Sequence, residues 1–221
     1  MLPLPRTREN TMGEDSKITI AARENGPLVV KGLDTLKGPD GQALEVKPVM
    51  ALCRCGGSKT KPFCDGSHKT NGFDSSSGTP AGRNRVIDYE GAEATVTFNP
   101  MVCAHAAECA RIAPAVFNSA ERPWVQPDKG SRAEIEEVIA HCPSGALGLR
   151  LDGKVTHLVA DRARIEVMRD GPYMVHDADI SVPNPGEATT PRKFVLCRCG
   201  KSGIKPYCDG THKDQGWKSG D

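Results

Sequence analysis

The sequence predicts an α+β fold assembled from small units rather than from one large domain. Three features point there. One block of the chain recurs 144 residues later, and nine cysteines divide into three sets of three. Material for a single large core is thin: aromatics make up 5% of 221 residues, against 23 glycines and 17 prolines. Small units that bury little apolar surface usually need a staple such as metal. An odd cysteine count, behind first residues (Met1 to Asn10) without the apolar core of a signal peptide, argues for soft-metal ligation over a disulfide framework. A reducing, cytoplasmic setting is expected. Net charge is +1, so no polyanion footprint calls for nucleic acid. No apolar run approaches the ~20 residues of a membrane span, so no membrane is expected.

Residues 1–16 read as a tail, and 17–74 as a first small β-rich unit. In it Ile18 and Ile20 alternate as a strand, Asn25-Gly26-Pro27 turns the chain, and Leu28 to Val30 return. A polar loop leads to Cys53-Arg54-Cys55 and then Cys64 to His68, the latter running into a short helix. The polar stretch from Gly72 to Arg85 contains a linker, 75–85. A middle unit spans 86–160. There Ala94 to Phe98 alternates as a strand, and Cys103 to Cys109 leads into a short helix stopped by Pro114. Ser131-Arg-Ala-Glu134 is a capping box opening a helix with Ile135, Val138 and Ile139 on one face, ended by Cys142-Pro143. Leu147, Leu149 and Leu151 alternate into an Asp152-Gly153 turn, with Val155 and Val159 on the return. Residues 161–221 repeat the first unit: Ile165 and Val167, the Asp170-Gly171-Pro172 turn, Tyr173 to Val175, a loop over Pro183 to Pro191, then the second cysteine set.

Each outer set offers three sulfurs and one imidazole nitrogen: Cys53, Cys55, Cys64 and His68, then Cys197, Cys199, Cys208 and His212. Cys-x-Cys brings two thiolates within reach of one metal. A Cys and a His four residues apart share one side of a helical turn. The glycines in Cys-Asp-Gly-[Ser/Thr]-His allow close backbone approach, and Asp65 and Asp209 suit the cap of that turn. Zinc takes such a set tetrahedrally. A [2Fe–2S] cluster takes it two ligands per iron. Spacing alone leaves both open.

The full strings go further. Both copies resemble the CDGSH (NEET-like) iron–sulfur family, whose signature is Cys-x-Cys-x2-[Ser/Thr]-x3-Pro-x-Cys-Asp-Gly-[Ser/Ala/Thr]-His. Ser58 and Pro62 complete the first copy, Ser202 and Pro206 the second. The resemblance implies a [2Fe–2S] cluster with three cysteines and one histidine at each site. It also implies that two such units join through a shared β-cap, here as a pseudo-dimer within one chain that need not dimerise further. A neutral imidazole in place of a thiolate should raise the potential, and it is a ligand that acid can protonate. Acidification is therefore expected to release these clusters through His68 and His212.

In the middle, Cys103-Ala-His-Ala106-Ala-Glu-Cys109 with the remote Cys142-Pro143 has the outline of a bacterial ferredoxin site, C-x2-C-x2-C with a distant Cys-Pro. Residues 86–151 resemble divergent single-cluster ferredoxins, so a ferredoxin-like α+β domain is expected. Ala106 stands where the second cysteine would be. Three thiolates and a vacant corner suit [3Fe–4S]; the alternatives are a [4Fe–4S] cluster whose fourth iron takes His105 or solvent, and no cluster at all.

The remaining residues have plainer expected roles. His141 reads as a helix C-terminal cation, and His157 and His176 as solvent-facing. Trp124 and Trp217 either shield sulfur or pack. The lysines flanking the outer sites (Lys59, Lys61, Lys69, Lys201, Lys205, Lys213) offset cluster charge, dock an acidic partner or are simply solvated. No nucleophile–base set, phosphate loop or dinucleotide fingerprint appears, so the chain is not expected to be an enzyme. The chemistry then belongs to the clusters. The expected role is electron transfer toward a redox partner protein. The alternative is cluster storage or delivery to an apo iron–sulfur acceptor, and a structural zinc module is a third reading.

Overall fold

A computed structural model describes residues 17–159 and 163–220. The expected tail 1–16, the boundary between the middle and last units at 160/161, and Asp221 lie outside the described residues. The order of elements is β1 (Thr19–Ala22), β2 (Leu28–Lys31), β3 (Leu36–Lys37), β4 (Ala43–Leu44) and β5 (Val49–Leu52) in the first unit. The middle unit holds β6 (Ile87–Tyr89), β7 (Thr95–Phe98), α1 (Glu108–Ile112), α2 (Arg132–His141), β8 (Leu147–Leu151) and β9 (Lys154–Thr156). The last holds β10 (Arg164–Val167), β11 (Tyr173–His176), β12 (Asp179–Ile180), β13 (Lys193–Leu196) and α3 (Thr211–Asp214). Sheet dominates and helices are few and short, an α+β arrangement of small β-rich units.

The repeats match element by element. Asn25 and Asp170, at φ 43 and 51, make equivalent left-handed turns between β1/β2 and β10/β11, a conformation Asn and Asp tolerate better than other side chains. The two outer sheets are not self-contained. Their orders are β12-β1-β2-β5 and β13-β11-β10-β3-β4, so each repeat lends a strand that pairs with the other's hairpin, β12 and β3, and β4 extends the second sheet beyond β3. The lent strands pair in parallel and in matching register, Ile20 with Ile180 and Ile165 with Leu36. A third sheet, β6-β7-β8-β9, belongs to the middle unit. One apolar core runs through all three: Leu28, Leu36, Leu52, Ile165 and Tyr173 belong to the same cluster as Phe117, Ile135 and Leu149.

Helix α2 starts as the sequence predicts, with both halves of the Ser131/Glu134 capping box formed. The predicted β8/β9 hairpin ends at Thr156, short of Val159. The solvent-facing reading of His157 and His176 is corrected. His157 hydrogen-bonds the carbonyls of Leu147 (3.1 Å) and Ala188 (2.9 Å), and His176 is 5% exposed on β11. His176 lies on an inner strand, paired with Arg164 of β10 and Lys193 of β13, neighbours that a period-two reading of one strand does not show. His141 ends α2 and donates to the Glu137 carbonyl. The linker forms no strand, yet it is not a free tether. Gly78 N–H donates to the Gly203 carbonyl at 3.0 Å, and Ala81 N–H to Asp209 at 3.0 Å.

Candidate metal centres

Each outer site is a loop folded back on a strand. Cys53 follows β5, its N–H donating to the Pro62 carbonyl (2.8 Å), while Cys64 N–H returns to Ala51 (2.8 Å). The same pair of bonds recurs as Cys197 to Pro206 (2.8 Å) and Cys208 to Val195 (3.0 Å) after β13. This clamp presents the sulfurs in pairs. Cys53 and Cys55 Sγ lie 3.7 Å apart, and Cys64 Sγ lies 3.3 Å from His68 Nδ1. The second site gives 3.6 Å for Cys197/Cys199 and 3.4 Å for Cys208/His212. Two ligands about 2–2.3 Å from one tetrahedral metal stand roughly 3.3–3.8 Å apart, so each pair has the spacing of two ligands on one metal. Among the described residues no group of three or more His, Cys, Asp or Glu is placed to hold a single metal ion. Each outer site thus offers two donor pairs, a set that either a tetrahedral metal or a binuclear group can take.

Asp65 and Asp209 fix the second half of each loop. Asp65 accepts from the N–H of Lys59 and from Ser67, which holds its carboxyl well below the usual range. For Asp209 burial works the other way, but bonds from Thr211, Gly203 and Ala81 win and its pKa is lowered. Gly66 and Gly210 then turn at φ 92 and 86, which places the histidine beside its cysteine.

Sequence reasoning assigned no role to the middle residue of Cys-Arg-Cys. Arg54 and Arg198 are both 3% exposed and tie each ligand loop to the hairpin turn of its own repeat. Arg54 donates to the carbonyls of Gly26 (2.9 Å) and Arg23 and lies over Phe73; Arg198 donates to Met168 (2.7 Å) and lies over Tyr173 and Trp217. Their recurrence in both copies was the available signal. Tyr173 reaches across repeats, its hydroxyl shared between the carbonyls of Cys53 (2.7 Å) and Pro62 (2.9 Å). The two sites meet at a bridge between Cys55 and Cys199. A Cβ on Gly56 would stand 2.8 Å from the Cys199 carbonyl, and one on Gly200 2.9 Å from that of Cys55.

The middle site is a cavity of about 410 Å³ lined by Cys103, Cys109 and Cys142 together with Phe98, Phe117 and Trp124. Left-handed turns at His105 and Ala107 (φ 51 and 63) bend the loop so that Cys103 and Cys109, the latter in α1, face the same space as Cys142 at the end of α2. Trp124 serves both readings given for it: it lines the cavity and packs edge-on to Phe98, centroids 5.0 Å apart. Ala106 contributes wall and no donor atom. His105 lines the cavity too, but its ring also packs on Gly210 of the second outer site, where a Cβ would meet it at 2.2 Å. Burial pushes the Cys103 thiol up to about 12, and burial followed by the charge of Cys142 raises Cys109. In the outer sites burial also raises Cys53 and Cys208. Buried thiols of this kind ionise only when a cation compensates them, which is what metal binding supplies. The donor sets thus fit iron–sulfur groups at all three places.

The two outer sites differ in cover. Cys197, Cys199, Cys208 and His212 are buried, whereas Cys55, Cys64 and His68 are half-buried. The difference comes from the middle unit and the linker, which lie on the second site.

The family described as "Iron-binding zinc finger CDGSH type" matches residues 25–69 and 170–213, and the one described as "Divergent 4Fe-4S mono-cluster" matches 89–152. The chain is also similar to the "Uncharacterized protein YjdI" of Escherichia coli strain K12 and of E. coli O157:H7. Each is 40% identical over 62 residues, covering 28% of this chain and 82% of the relative.

Proposed function

Because this chain belongs to the CDGSH-type iron-binding proteins, with a divergent 4Fe-4S mono-cluster domain between its two CDGSH units, we propose that it is an electron-transfer protein with three clusters. Cys53, Cys55, Cys64 and His68 would hold one [2Fe–2S] cluster, and Cys197, Cys199, Cys208 and His212 another. Cys103, Cys109 and Cys142 would hold a ferredoxin-type cluster. The observation that carries this is the pairing of donors, 3.3–3.7 Å within each pair of the outer sites, on loops that lie within the two matches to the CDGSH iron-binding family. For the middle site the donor-free wall at Ala106 favours [3Fe–4S] over a [4Fe–4S] cluster completed by His105.

When bound, such clusters accept and release single electrons. The protein supplies thiolate ligands, dry walls and N–H donors to sulfur, which set the potential. Those donors are Gly57 at Cys55 (3.4 Å), Gly200 at Cys197 (3.3 Å), Lys201 at Cys199 (3.4 Å) and Gly210 at Cys208 (3.4 Å). The exchanged strands β3 and β12 and the Cys55/Cys199 bridge support an intramolecular pseudo-dimer, hence a working monomer. No described helix is long and apolar enough to cross a membrane.

Anaerobic reduction and reoxidation followed by visible absorbance tests the proposal. A carrier returns to its starting spectrum with all iron retained. The half-buried Cys64 and His68 favour one second reading, cluster delivery, which predicts instead that iron passes to an added apo-ferredoxin.

A further inference from the structure

The middle unit already shows how a ferredoxin-type loop sits on a CDGSH unit. On the second unit, Ala104 packs with Val195 of β13 and with Cys208, and Met174 borders the cluster. The Cys103 carbonyl and the His105 ring lie against Gly210. Lys193, at the start of β13, is fully buried and donates from Nζ to the Ile139 and Leu158 carbonyls of the middle unit. The covered face is therefore one side of β13 together with the cysteine–glycine turn.

On the first unit no comparable loop among the described residues lies over the same face. At the repeat spacing, Val49, Ala51, Cys64 and Gly66 correspond to Lys193, Val195, Cys208 and Gly210, and Val29 corresponds to Met174. Val195 and Cys208 are 2% exposed, while Val49 is 54% exposed and Ala51 and Cys64 are half-buried. A Cβ on Gly66 would meet no atom of the described residues within 4 Å. Val49 is one of two large hydrophobic residues that stand exposed among the described residues. This apolar face borders the open ligand pair, with the covered copy as its template.

We infer that the face formed by Val29, Val49, Ala51, Cys64 and Gly66 docks a separate single-cluster ferredoxin, whose small-residue cysteine loop lies on Gly66 as Cys103-Ala104-His105 lies on Gly210. The chain's own middle unit cannot be the occupant, because that loop is already buried on the second unit. The glycine admits the partner backbone to the ligand turn, and Ala51 accepts its small side chain. The electron-transfer consequence rests on the function proposed above, but the docking itself does not.

The test uses full-length protein loaded with iron and sulfide, a purified single-cluster [4Fe–4S] ferredoxin as probe, and binding as the readout. Val49→Glu should weaken binding at least about tenfold, and Val29→Glu on the neighbouring strand likewise, as expected for a charge buried at an interface centre, with iron content unchanged. Leu151→Glu, at the other exposed hydrophobic position, should bind like wild type. Three results overturn the inference: wild type that does not bind, variants at Val49 and Val29 that bind as tightly as wild type, or a wild-type dimer that Val49→Glu converts to monomer. The last would make a second copy of this chain the occupant. Binding without electron passage leaves the docking face standing and contradicts the electron-transfer proposal alone.

Discussion

Lys193 carries its charge into the interior without a carboxylate partner among the described residues. Burial lowers its pKa, and the charge of Cys142 opposes that shift. The Ile139 carbonyl that receives its ammonium also receives the Cys142 N–H (3.3 Å), so the cation stands beside a proposed cluster ligand. A buried ammonium costs several kcal/mol unless an anion compensates it, and an anionic cluster held by Cys142 would be that anion. Lys193→Met should move the midpoint potential of the middle cluster to a more negative value and leave the outer two where they were. Lys193→Arg should keep it near wild type. An EPR-monitored redox titration reads all three in one sample. His176 gives a pH signature. Burial first, then Arg164, holds its pKa down to about 4; Glu166 opposes this, and Lys193 lowers it further. The folded state keeps the ring neutral, so its contribution is present above the unfolded pKa of about 6.5 and is lost as pH falls toward 4. Wild type should lose stability over that window by up to about 3 kcal/mol more than His176→Gln, measured by chemical unfolding at pH 7 and pH 4.5.

At the scale of elements, the exchange of β3 and β12 makes each repeat incomplete alone, and the Gly56/Gly200 junction holds the copies together. Gly56→Ala adds a Cβ 2.8 Å from the Cys199 carbonyl, at a residue whose φ is +78. It should cost about 2 kcal/mol or more, and both outer sites should loosen together. Differential scanning calorimetry should then show one lowered transition rather than one lowered and one unchanged. What could be read from the sequence divides along the same line. The Ser131/Glu134 box, the Asn25 and Asp170 turns and the β8/β9 hairpin are set by residues close together in the chain, and they stand where the patterns put them. The exchange of strands was not legible. β3 and β12 have two residues each, and their partners lie in the other repeat, so no local period marks them. The ligand strings were legible because each motif is short and occurs twice. Their unequal cover was not, because it depends on where a distant loop, Cys103 to Ala107, comes to rest.

For the molecule as a whole, three small units share one core, and no two of the three donor sets are in the same surroundings. The central claim is that two sets bind as two-plus-two around binuclear iron and the third as a ferredoxin-type site. Iron, sulfide and zinc analysis of anaerobically purified protein tests this most directly. About seven iron and eight acid-labile sulfide per chain, without zinc, is the expected result for two [2Fe–2S] clusters and one [3Fe–4S] cluster. Zinc bound in stoichiometric amount at the outer sites, with no sulfide there, would contradict it.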